Sequence, residues 1–322
     1  MKLYLFLLLL CSTFLSVAIS AQPYYDLIQQ ARSRHDAKDY SRSVILYQQA
    51  FKLSKKVPGD LVSGAGSAAM AGNKEKAFQR LSWAEAAGYS NSNKFEKNPD
   101  LVTLHNDKRW LELSAKIKRR SDEMEKNYDI PLQKELLAIL PDDQEPRLAY
   151  DRVASKAGDN SHALDSLSTL MVHNDSINGV KITKLLNENG WIGKGKVGED
   201  ASNVVFLVIQ HSQDLQFQIK YLPMIRQALA KADASADELA LLEDRVAVRQ
   251  AKRQTYGSQI YFDEKTGKYY VAPLDDPLNV DHRRARMGLQ PMAEYARQFD
   301  IVWNPQEYAR KLPELDKLSR KW

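Results

Sequence analysis

A histidine inside an apolar helix needs partners for both ring nitrogens, and His211 closes such a run, VVFLVIQH. Gln210 precedes it, and Asp214 and Gln218 follow within two turns. A second apolar stretch, ALLEDRVAV, carries Asp244 and Arg245. A carboxylate that orients a histidine, with an arginine nearby to hold an anion, is the grouping an acid–base hydrolase uses. Further polar clusters stand at DDQEPR (Asp143, Gln144, Arg147), NDSIN (Asp175, Asn178), QTYGSQ (Gln254, Tyr256, Gln259) and DHRRARMG (His282, Arg283, Arg284). Lining one cavity, these groups would bind a small or peptide ligand. Sealed between helices, they would be a hydrogen-bond network that fixes packing. The residue types leave catalysis, binding and packing all open.

Other chemistries are less well served. No two histidines lie three or four residues apart, so no helical metal pair is expected, and no cofactor is implied. The loop GWIGKGKVG (Gly190 to Gly198) matches G-x-G-x-x-G at Gly193, Gly195 and Gly198, and Gly190, Gly195 and Lys196 nearly match a P-loop. Both motifs require a preceding strand, whereas here a helix pattern precedes, and Val197 stands where a P-loop needs Ser or Thr. A nucleotide site is therefore not expected. An anion near Lys194 and Lys196 remains physically open.

These residues must be positioned by helices. The 322-residue chain carries 46 Lys+Arg against 41 Asp+Glu and 43% hydrophobic residues, an ordinary globular balance with no demand for a polyanionic partner. Cys11 is the single cysteine, which excludes a disulfide scaffold. It falls in MKLYLFLLLLCSTFLSVAISA, residues 1–21, which read as a secretory signal peptide cut after Ser20 or Ala21. The mature chain is then expected to be periplasmic or extracellular and not membrane-spanning. Residues 22–118 read as helical hairpins, 119–130 as a charged linker or helix, 131–300 as a larger helical domain and 301–322 as a helical tail docked by Leu312, Leu315 and Leu318.

Within the larger domain, SHALDSLSTLMVH and SINGVKITKLLNEN read as two helices, the second stopped at Asn189-Gly190. A long apolar helix runs from Ala201 until Pro223 breaks or restarts it. Another spans about 237–252. SQIYF, DEKTG and KYYVAP read as a β-hairpin with Gly267 in the turn, and its aromatics Tyr261, Phe262, Tyr269 and Tyr270 read as packing. No basic stripe accompanies them, so no nucleic-acid partner is expected. The fold class is mainly α with one small β-hairpin.

Ser43, Tyr47 and Ala50 are repeated 34 residues later as Ala77, Leu81 and Ala84. This small-large-small period resembles the tetratricopeptide repeat and implies helical hairpins that engage a protein or peptide partner. Further on, DDQEPR, NDSIN, NGW, KVGEDAS with VVFLVIQH, FQIKYLP, LLEDRV, QTYGSQ and HRRARMGLQPMAEY occur in an order that resembles a bacterial family known as domain of unknown function 6624, over about residues 130–296. Ile192 stands where that family often has proline. The family brings no established activity, and its pairing with a signal peptide and helical repeats implies an exported protein of a Gram-negative bacterium. Two functions from different classes follow: an exported binding or scaffold protein, or a hydrolase-like enzyme using His211 with Asp244 and Arg245.

Overall fold

The computed structural model describes residues 10–53, 57–154, 161–263 and 266–319, and the chain divides into two units. The first nine residues of the expected signal peptide lie outside the described residues. Among the described residues no helix is long and apolar enough to cross a membrane. The chain is mainly α, with a single two-stranded antiparallel sheet among those residues.

The first unit contains α1 (Leu10–Asp36), α2 (Tyr40–Leu53), α3 (Pro58–Met70), α4 (Lys74–Ala86), α5 (Ser92–Glu96) and most of α6 (Lys108–Glu125). The charged stretch after residue 118 thus begins as the last turns of α6. Helices α1 and α2 pair, as do α3 and α4. All six residues of the 34-residue pattern are buried: Ser43, Tyr47, Ala50, Ala77, Leu81 and Ala84. The glycine-rich α3 has a steric reason. A Cβ on Gly64 would press on Phe51 at 3.1 Å and Tyr47 at 3.2 Å, so a larger residue would push α2 away. Asn73 caps α4 by accepting from the Lys76 N–H at 3.0 Å.

The second unit runs through α7 (Ile130–Leu137), α8 (Leu140–Ala154), α9 (Ser161–Asn189), α10 (Lys194–Val197), α11 (Glu199–His211), α12 (Leu215–Ala230), α13 (Ala236–Arg249), β1 (Ile260–Asp263) and β2 (Lys268–Val271). Its core gathers Leu136, Ile139, Ile182, Leu185, Val204, Val208, Ile209, Ile225 and Leu242, all buried. In the hairpin, Tyr261 pairs with Tyr270 and Phe262 with Tyr269. Gly267 takes φ +65° in the turn.

Chain order and spatial order then part. Residues 279–303, with α14 (Val280–Arg286) and α15 (Met292–Arg297), belong to the first unit, where α14 packs on α1. Residues 304–322, with α16 (Pro305–Ser319), belong to the second. Of the residues expected to dock the tail, Leu312 is buried and Leu315 half-buried, while the Leu318 side chain lies outside the described residues.

Two expectations about helix ends need correction. Residues 161–189 form one helix of 29 residues rather than two. The long apolar helix breaks after His211, not at Pro223, which sits inside α12. The break is made by side chains: Ser212 Oγ accepts from the Asp214 N–H at 3.1 Å, and Asp214 Oδ1 accepts from the Gln216 N–H at 2.8 Å. These bonds cap a new helix start and leave His211 at a helix C-terminus.

Candidate functional site

The site grows from a proline. Pro146 lies within α8 and has no N–H, so the Asp142 carbonyl one turn earlier loses its helical donor. Asn174 of α9 supplies it, donating from Nδ2 to that carbonyl at 2.8 Å. The same engagement explains why α9 does not stop at NDSIN. Asn174 is bonded across to α8 and Asp175 is held by Arg147, so neither competes for its own backbone.

With α8 and α9 in this register, Arg147 Nη2 meets both Asp175 oxygens at 2.7 and 2.8 Å. Arg147 Nη1 donates to the Asp143 carbonyl at 2.6 Å and lies 3.7 Å from the Asp143 carboxylate. His211 Nδ1 lies 2.9 and 3.1 Å from the two Asp143 oxygens, and Gln144 Nε2 donates to Oδ2 at 2.5 Å. Asp143 is 1% exposed, while the His211 and Arg147 side chains are 20% and 21% exposed. Burial alone would raise the Asp143 carboxyl, but the hydrogen bond and charge of His211, with Gln144 and Arg147, hold it below the usual range. Asp175 differs: burial outweighs Arg147 and leaves its carboxyl raised. An ionised Asp143 can only accept, so His211 donates to it from Nδ1 and Nε2 is the ring atom left to meet another group. Nε2 makes no hydrogen bond among the described residues.

The C-terminal carbonyls of α11 are held as firmly as the ring. Gln218 Nε2 donates to the carbonyls of Ile209 and Gln210 at 3.2 and 2.9 Å, and Arg245 Nη1 to Gln210 at 2.9 Å. Arg249 donates to Ser212 at 3.1 Å and to Gln213, and meets Gln218 Oε1 at 2.9 Å. Among the described residues several buried polar atoms of the same unit have no hydrogen-bond partner: both amide atoms of Asn178, Gln210 Oε1 and the Tyr221 hydroxyl. Asn178 lies one turn beyond Asp175 on the buried stripe of α9.

Asp143, Gln144, Arg147 and Asp175 therefore gather with His211 as one cluster. Asp244 does not. Fully buried, it accepts the backbone N–H groups of Thr255 at 2.7 Å, Tyr256 at 3.0 Å and Ser258 at 2.9 Å, and burial raises its carboxyl. The carboxylate meeting His211 is thus Asp143 instead. Gln254 and Gln259 build the same turn: Gln254 Oε1 accepts from the Gln259 N–H at 2.8 Å, and Gln254 Nε2 donates to the Gln259 and Ala272 carbonyls at 3.0 and 2.9 Å. The Tyr256 hydroxyl donates to Glu243 at 3.2 Å. Arg245 meets the site at the backbone carbonyl of Gln210. Arg283 and Arg284 lie in the other unit, where the buried Arg284 donates to the Gln290 carbonyl at 2.6 Å and faces the Tyr295 ring.

The glycine loop holds an anion of its own. A Cβ on Gly193 would fall within the Asp233 carboxylate, and Asp233 Oδ1 accepts from the Gly195 N–H at 3.1 Å. Sequence reasoning missed Asn174 and Arg249, which no spacing rule marks. It also missed a cluster in the first unit, where His35 bridges Ser67 Oγ at 2.9 Å and Asp100 at 3.1 Å. Ser67 is fully buried and its hydroxyl also meets Ser43 at 3.0 Å, so this trio clasps helices and offers no nucleophile to a substrate.

A family model described as "Family of unknown function (DUF6624)" matches residues 130–304, more than half of the chain. No curated protein and no solved structure matches.

Proposed function

As the chain belongs, through residues 130–304, to the DUF6624 family of unknown function, we propose that this family domain is a binding module for a small polar ligand centred on His211. One observation carries the reading. The ring is fixed through Nδ1 by a buried, ionised Asp143, and its other nitrogen is left without a hydrogen-bond partner among the described residues. In its neutral form such a nitrogen suits a ligand that donates a hydrogen bond, a hydroxyl or an amine. The side-chain amide of Asn178 and Gln210 Oε1, buried and without partners among the described residues, are polar groups of the kind a ligand or ordered water satisfies.

The Asp143–His211 pair also favours a second reading, in which Nε2 takes a proton from water during hydrolysis. No serine, threonine or cysteine side chain is hydrogen-bonded to His211 among the described residues, so water would be the nucleophile.

Imidazole NMR signals of the full chain, titrated with sugars, polyols and amino acids, test the binding reading. The expected result is that one class shifts the His211 Nε2 resonance and that His211→Gln weakens this ligand about tenfold or more. If no compound moves that resonance, and His211→Ala costs about 3 kcal/mol or more as a packing residue would, the binding reading fails. Turnover of chromogenic esters that is lost in His211→Gln with stability intact would favour the second.

A further inference from the structure

In the first unit a cleft of about 280 Å³ opens between α2 and α4, and its charges are one-sided. Lys52, Lys76 and Arg80 line it, and among the described residues no carboxylate does. Phe51 and Trp83 supply the apolar part of the wall, and Trp83 is 37% exposed. Lys76 bridges the two helices, donating to Gln48 at 2.7 Å.

Arg80 is the unusual member. It is 2% exposed, a position where a guanidinium is normally balanced by a carboxylate. Here its donors go to backbone, Nη1 to the Gly64 carbonyl at 2.5 Å and Nη2 to the Val44 carbonyl at 2.9 Å. The guanidinium carbon lies 5.5 Å from the Phe51 ring centre and 5.9 Å from that of Tyr47. Among the described residues it has no ion-pair partner, and burial pulls its pKa down to about 10. Two backbone carbonyls accept from the guanidinium, and no carboxylate among the described residues balances its charge. An anion over this cleft would offset that cost, and two flanking lysines extend the same field to solvent.

We propose that the cleft between α2 and α4 captures an acidic segment of a partner polypeptide, one carboxylate seated over Arg80, others reaching Lys52 and Lys76, and an apolar neighbour against Phe51 and Trp83. Charge complementarity selects the occupant, and the volume suits one or two side chains rather than a folded surface. This inference does not depend on the His211 reading.

The test is fluorescence anisotropy of the full chain with a fluorescein-labelled hexapeptide of alternating leucine and paired acidic residues, Leu-Glu-Asp-Leu-Glu-Asp. Binding is expected to weaken with added salt and to fall about tenfold or more in Lys52→Glu/Lys76→Glu. The uncharged Gln/Asn version of the peptide should show no binding. Both lysines reach solvent, so the melting temperature of the double variant should match the parent, and Lys52→Gln/Lys76→Gln serves as a milder variant if it does not. His211→Ala should leave peptide binding unchanged. Equal affinity for parent and charge-reversed chain overturns the proposal. So does an inert peptide, whether or not phosphatidylglycerol vesicles or a single-stranded oligonucleotide bind in its place.

Discussion

Buried carboxylates are governed by the donors around them, and Asp143 and Asp244 have different ones. Asp244 accepts from three backbone N–H groups, those of Thr255, Tyr256 and Ser258. Asp244→Ala should therefore cost about 3 kcal/mol or more in urea unfolding, because several buried donors are orphaned together. His211→Ala should cost about 1 kcal/mol or less, since Asp143 keeps Gln144 and Arg147. Matching losses in the two variants would contradict this division. The sequence indicated most of the polar residues that meet, including Asp143, Arg147 and Asp175, since polar groups between apolar helices must be satisfied. It did not indicate who meets whom. Asp143 and His211 are 68 residues apart, and their pairing depends on the register of α8 on α9, which local pattern does not encode.

At the scale of elements, Glu238 at the start of α13 makes the protein respond to pH. Burial, reinforced by the charges of Asp237 and Glu199, pushes its carboxyl up to about 7 from the ordinary 4.5. The folded chain then holds this proton more tightly than the unfolded one. The resulting stability is fully present below about pH 4.5 and is lost as pH rises through about 7. Urea midpoints at about pH 5 and about pH 8 should show Glu238→Gln gaining on the parent at the higher pH; a constant difference would refute the assignment. Helix ends were legible where the backbone itself makes them, as at Asn189-Gly190, where Gly190 takes φ +68°. They were not legible where a distant side chain decides. NDSIN looks like a break because Asn and Asp usually compete with the helix. It continues because α8 occupies them, just as Ser212 and Asp214, not Pro223, end α11.

For the whole molecule, the sequence-based boundary near residue 300 and the observed units disagree over one segment. Residues 279–303 fall inside the family match but belong to the first unit, where Ser33 bonds Glu294 and Asp26 pairs with His282 at 3.6 Å. Residues 304–322 return to the second, where the Tyr308 hydroxyl donates to the Ala272 carbonyl at 2.7 Å and Arg253 pairs with Asp316 at 2.6 Å. Composition carries no trace of contacts with such separations. Truncation after Leu278 should accordingly lower the stability of both units, seen in calorimetry as losses in each transition; a truncated chain that melts like the parent would refute it. The pairing of Ser33 with Glu294, 261 residues apart, has a further consequence in time. A polypeptide emerging from its N-terminus begins the first unit immediately and finishes it almost last. Its hairpins must wait, partly uncovered, while residues 124–278 of the second unit appear, so the face of α1 that α14 covers is exposed to misassembly during synthesis.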